Sequence, residues 1–125
     1  MARRRNPLNH MTVMFRKTSV LAAGSYRSRP GFEDYDLWAR MLMNGKRLYN
    51  LHDVLVRVRC GNGMQRRRGG FAYLREETAL QLHFLKAGFV SKRQFLLNVL
   101  ARAPIRMAPP DLRTAFYRWV LRQSL

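Results

Sequence analysis

Cysteine is nearly absent from this sequence. Cys60 stands alone, so neither a disulfide framework nor a Cys-based zinc site can form within one chain. That usage fits a reducing compartment. Acidic residues are also scarce: seven Asp and Glu face 24 Lys and Arg, for a net charge of +17 over 125 residues. No stretch of about 20 apolar residues exists to cross a bilayer. The basic opening Met1-Ala2-Arg3-Arg4-Arg5 is followed by no apolar run, so it is not expected to be a secretory signal. Internal repeats and low-complexity segments are missing too.

What is present is a chain with 47% hydrophobic residues, enough for a folded domain or a piece of one. Its unbalanced charge does not help a compact state fold and implies an anionic partner. Nucleic acid, an anionic membrane surface and a phosphorylated small molecule are the candidate classes. The positive charge is shared by both halves of the chain. Its nearest approaches to runs are Arg3-Arg4-Arg5 and Arg66-Arg67-Arg68.

Along the chain, Asn6 to Asn9 reads as a loop around Pro7. Met11 to Phe15 is almost continuously apolar, which predicts a short strand buried on both faces. Thr18 or Ser19 caps a short helix through Ala23 that Gly24 ends. A turn-rich stretch through Pro30-Gly31 leads into a helix from Glu33 or Asp34 to Asn44-Gly45. Leu37, Trp38, Met41 and Leu42 share one face of it, and Arg40 and Asn44 another. Val54 to Arg59 alternates as a second strand, with Val54, Val56 and Val58 opposite Arg57 and Arg59. Cys60 to Gly70 is a glycine- and arginine-rich loop. Helices follow from Phe71 to Ala87, from Ser91 (with Gln94 completing a capping box) to before Pro104, and from Pro109-Pro110-Asp111 onward. The expected class is an α/β piece followed by an α-helical tail. Two strands are too few for a free-standing sheet, which points to strands missing upstream.

Glu33-Asp34-Tyr35-Asp36 places three carboxylates at a helix start behind a Pro-Gly turn. The plainer reading is capping and dipole compensation. The functional reading is a general base whose orientation is fixed by helix-start amides and which takes a proton from an acceptor hydroxyl. Consecutive carboxylates cannot share one helix face, so Glu33 and Asp34 point differently.

The blocks Asn6-Pro7-Leu8-Asn9-His10-Met11-Thr12-Val13-Met14-Phe15-Arg16-Lys17, Leu21-Ala22-Ala23-Gly24-Ser25-Tyr26 and Glu33-Asp34-Tyr35-Asp36-Leu37-Trp38-Ala39-Arg40-Met41 resemble the C-terminal, acceptor-side part of bacterial family 2 inverting glycosyltransferases. The likeness continues through Asn50-Leu51 and Leu55 to Arg59, and is looser in the tail. It implies an incomplete GT-A-like (Rossmann-like) second half with two or three short strands and an α-helical C-terminal tail. Residues 1–70 would be the acceptor-side part and residues 71–125 a basic amphipathic tail. It implies that Asp34 is the catalytic base and that Glu33 stabilises the turn or contacts the acceptor. His10 and Trp38 join the substrate-binding candidates. For His10 the plainer reading is a backbone-satisfied histidine at a strand start, and for Trp38 it is core packing. His52 and His83 carry less, and His83 reads as structural or solvent-facing.

The resemblance also implies a nucleotide-sugar donor, a saccharide or lipid-linked acceptor, and a divalent metal, Mg or Mn, for the whole enzyme. The Asp-x-Asp metal motif of that family is not in this chain, because Asp34-Tyr35-Asp36 matches the base helix. No histidine lies between Arg57 and Gly70, where many relatives place a metal ligand. A missing N-terminal half, or a partner chain, would supply the nucleotide site, and the isolated chain would be inactive. Arg66, Arg67 and Arg68, in a loop of glycines, are placed to bind phosphate oxygens of the departing nucleoside diphosphate; a solvated basic loop is the plainer reading.

In the tail, Arg113, Arg118 and Arg122 accompany Leu112, Phe116 and Trp119. That pairing suits an anionic membrane surface, or else helices packed back on the domain under long arginine stems. The expected location is the cytoplasm, with peripheral attachment at the inner face of the cytoplasmic membrane. The competing readings are a membrane-surface or partner-binding module and a nucleic-acid binder. Nucleic acid is disfavoured, because the arginines gather on no single helix or aromatic surface.

Overall fold

The computed structural model describes residues 1–57, 68–109 and 111–112. A short 3-10 turn, His10–Thr12, is followed by four helices: α1 (Lys17–Ala22), α2 (Glu33–Met43), α3 (Phe71–Lys86) and α4 (Lys92–Met107).

Helix α2 is the centre of the molecule. Seven of its 11 residues are buried, as expected of a helix that is apolar on more than one side. One face sends Leu37, Trp38 and Met41 into a core with Val20 and Ala23 of the α1 region. The other sends Tyr35 and Ala39 against Leu80, Phe84, Phe89 and Val90 of the α3–α4 hairpin. The predicted apolar face therefore splits: Leu42 packs with the hairpin, away from Trp38. Phe84 meets Tyr35 and Phe89 edge-on, with ring centroids 5.0 and 5.1 Å away, the geometry aromatic quadrupoles prefer.

The helix ends follow from sequence. Gly88 takes φ 75° after α3, and the Phe89 N–H returns to Phe84 O at 2.9 Å. This is a Schellman ending, and the Phe84–Phe89 contact is its usual hydrophobic companion. At the start of α4, Ser91 and Gln94 form the reciprocal capping box. Gly24, at φ 81°, ends α1 in the same way, with the Ser25 N–H on Val20 O at 3.0 Å.

Two expectations are corrected. The α/β class fails: the described residues contain helices and no strand. Met11 to Phe15 begins inside the 3-10 turn and then runs extended, and residues 54–57 are extended and exposed, with Val54 89% accessible. Apolar and β-branched residues favour an extended backbone, but a strand requires a neighbour to take its N–H and C=O groups. No other described segment supplies one. Residues 58 and 59, the end of the predicted second strand, lie outside the described residues. Helix α4 also runs through Pro104 to Met107. Interior proline costs about 3 kcal/mol in an isolated helix. Here Arg102 and Arg106, one turn to either side, are anchored on Glu77 of α3 and hold the last turns in register.

Candidate functional site

Asp34 stands in the first turn of α2, where N–H groups lack helical partners. Its Oδ1 accepts the Tyr35 N–H at 2.7 Å, and its Oδ2 accepts Asn6 Nδ2–H at 2.8 Å. The carboxylate is half-buried, and no cation among the described residues lies within ion-pair distance of it. It faces a cleft of about 820 Å³, whose walls include Asn6, His10, Glu33, Asn50 and Arg68. A smaller cleft of about 360 Å³ shares Arg5, Asn6, Gly31, Asp34, Arg68 and Tyr73 with it, so Asp34 sits where the two meet.

Around this carboxylate the loops are fixed by polar contacts. Glu33 accepts the Gly31 N–H at 3.4 Å within the Pro30-Gly31 turn. Asn50 donates to Pro7 O at 3.0 Å, tying the segment after α2 to the Asn6-Pro7 loop. His10 Nε2 lies 3.1 Å from Tyr26 Oη. Burial, and then the Asp34 charge, push the Tyr26 hydroxyl above its ordinary pKa, so it stays protonated beside the carboxylate.

The sequence candidates are thus partly gathered. Asp34, Glu33, His10 and Arg68 line one cleft. Trp38 does not reach it: the side chain is 0% exposed in the core. Its ring instead supports His10 edge-on, at 6.5 Å between centroids. Arg66 and Arg67 lie outside the described residues, as do Arg113, Arg118, Trp119 and Arg122 of the tail.

A second polar centre was missed by sequence reasoning. Asp36 is 0% exposed, and Arg40 Nε, His83 Nε2 and Arg29 Nε surround it at 2.9, 3.5 and 3.9 Å. Arg40 then donates to Ala23 O, and to Ser25 O at 2.7 Å. The buried pair therefore fixes the Gly24–Tyr26 turn that carries Tyr26 to Asp34. The Asp36–Arg40 spacing of four residues was the available signal. His83, read as structural or solvent-facing, is half-buried against this centre.

Among the described residues no three His, Cys, Asp or Glu side chains gather to hold a metal ion. The donor set does not fit the expected Mg or Mn, and the chemistry below is derived without it. No helix among them is long and apolar enough to cross a membrane.

No model of a protein family matches the chain, and no solved structure does. Curated relatives do. The chain is 35% identical over 124 residues to the UDP-Gal:alpha-D-GlcNAc-diphosphoundecaprenol beta-1,3-galactosyltransferase of Escherichia coli, covering 99% of this chain and 45% of that protein. It is 41% identical over 119 residues to the amylovoran biosynthesis glycosyltransferase AmsE of Erwinia amylovora, covering 93% and 44%. It is 34% identical over 120 residues to an uncharacterized glycosyltransferase of Haemophilus influenzae, covering 96% and 44%. The chain spans less than half the length of each relative, consistent with a C-terminal fragment of a bacterial glycosyltransferase.

Proposed function

We propose that this chain, similar along nearly its whole length to bacterial glycosyltransferases, is the acceptor-side part of an inverting family 2 enzyme. That enzyme moves a sugar from a nucleotide-sugar donor to a saccharide or lipid-linked acceptor. The observation that carries the reading is Asp34: a carboxylate at the junction of two clefts, held by Asn6 and a helix-start N–H, with no cation neutralising it.

In this reading the acceptor hydroxyl enters the larger cleft against Asp34. Its oxygen forms a bond to the anomeric carbon as the bond from that carbon to the diphosphate breaks, and its proton passes to Asp34. The leaving group departs from the opposite face, which inverts the centre. The two hydrogen bonds on Asp34 fix the carboxylate's direction, so little reorganisation is needed as the proton moves. Tyr26, His10 and Asn50 offer hydrogen bonds to the acceptor sugar. Glu33 keeps the Pro30-Gly31 turn in place and is not a second base. The nucleotide-binding part, with any Mg or Mn site, is supplied outside these 125 residues, in the same polypeptide or in a partner. The enzyme works in the cytoplasm at the membrane's inner face, where lipid-linked acceptors present their sugars.

The test is a chimera in which this chain replaces the matching segment of the Escherichia coli relative. Sugar transfer should be retained, and Asp34→Asn should lower kcat at least about 100-fold with donor affinity unchanged. Turnover that survives Asp34→Asn places the base elsewhere.

A further inference from the structure

The smaller cleft carries more positive charge than its own ion pairs consume. Arg5, Arg68, Arg102 and Arg106 line it, against the carboxylates Asp34 and Glu77. Glu77 is buried and is already held by Arg106, at 2.7 and 3.1 Å, and by Arg102 at 3.6 Å. Arg106 is further fixed by its stack on Tyr73, 4.8 Å from the ring centroid, and by a bond to Arg68 O at 3.1 Å. Arg102 Nη1 is buried with no hydrogen-bond partner, and Arg5 and Arg68 are exposed at the mouth. Four guanidiniums against two carboxylates leave two positive charges in excess.

We propose that this cleft binds a pyrophosphate diester and holds it beside Asp34; the inference rests on the transferase reading above. A diphosphate ester carries one negative charge on each phosphate, which matches the excess. Guanidiniums pair with phosphate oxygens two bonds at a time. The rigid pair Arg102 and Arg106 forms the floor, and Arg5 and Arg68 close on the ligand from the rim. The pyrophosphate belongs either to a lipid-linked acceptor or to the nucleoside diphosphate of the donor. In both cases the sugar attached to it lies at the Asp34 junction.

Calorimetric titration of the 125-residue chain tests this with three probes: inorganic pyrophosphate, UDP, and a water-soluble GlcNAc-diphospho-alkyl ester. Saturable binding of either ester is expected, at least about tenfold weaker in Arg5→Met and Arg68→Met, exposed positions whose loss should leave folding intact. Tighter binding of the alkyl ester assigns the cleft to the acceptor, and tighter binding of UDP assigns it to the donor; both support the site. Asp34→Asn removes a like charge and should strengthen ester binding while abolishing transfer by the chimera, so the base and the cleft fail separately. Arg16→Met, which removes an equal charge outside the cleft, should change nothing. Equal weakening by Arg16→Met, or no saturable binding of either ester, overturns the proposal by showing only diffuse attraction to a basic protein.

Discussion

Asn6 Nδ2 donates to Asp34 Oδ2 at 2.8 Å, joining a loop near the N-terminus to the first turn of the central helix. One contact thereby sets both the path of the loop that walls the cleft and the direction of the carboxylate. Asn6→Ala should lower kcat of the chimera roughly tenfold with little change in KM, because the base is still present but less well held. Unfolding of the isolated chain in urea should show a loss of about 1–2 kcal/mol, the usual worth of a hydrogen bond to a charged group that is not fully buried. An unchanged kcat would leave Asn6 a purely structural residue.

Trp38 separates core from site. It is wholly buried, and its ring lies 6.1 Å from Phe15 and 6.5 Å from His10. Trp38→Ala should cost about 3–5 kcal/mol in denaturant titrations, through lost burial and the cavity left behind. Trp38→Phe keeps most of the volume and should cost much less. The indole N–H has no partner in the core, so no buried acceptor is orphaned by that change. In the chimera, Trp38→Phe should mainly raise acceptor KM, since its only link to the cleft is through His10.

The Asp36–Arg40 pair is the most exposed to single substitutions, in energetic terms. Removing one member leaves the other charge buried without its counter-ion, at a cost of about 3–5 kcal/mol. Asp36→Asn and Arg40→Met should each approach that loss. The double variant should lose clearly less than the sum, as measured in a double-mutant cycle by chemical denaturation. Arg40→Met should also free the Ala23 and Ser25 carbonyls and loosen the Tyr26 turn, visible as faster amide exchange there. Strict additivity would show that the two charges do not depend on each other.

What could be read from the residues alone was the local chemistry of helix ends. Ser91 with Gln94, Gly88 after α3 and Gly24 after α1 all behave as their types and spacing require, because caps are decided within a few residues. The cleft carboxylate Asp34 was also legible, from its place at a helix start. The strands were not: Val54 to Arg57 has a strand's alternation, yet pairing depends on a neighbour that the segment does not contain. The two-sided burial of α2 was hidden for a related reason, since Leu42 and Trp38 sit at compatible spacing but face different elements. The smaller cleft was invisible, because Glu77 and Arg106 meet only once α3 and α4 have folded back on each other. Helix α4's passage through Pro104 depends on the same tertiary anchor.

His83 gives the fold a pH dependence whose sign is fixed. Burial first, then the positive field of Arg29, lowers its pKa below the ordinary value of 6.5; Asp36 opposes this, and Arg27 and Arg40 reinforce it. The unfolded chain therefore binds a proton more readily than the folded one. Between the two pKa values the unfolded state carries more protons, so stability rises with pH through that window and falls on acidification from 6.5 downward. Thermal unfolding followed between neutral pH and mildly acidic pH should show a decreasing midpoint. His83→Gln removes the titrating group while keeping a polar side chain near Asp36, and should flatten that slope. A slope unchanged in His83→Gln would assign the acid sensitivity to the carboxylates Asp36 and Glu77 instead. A midpoint that rises on acidification would mean that Asp36 outweighs burial and the surrounding arginines, and that His83 is charged in the folded state.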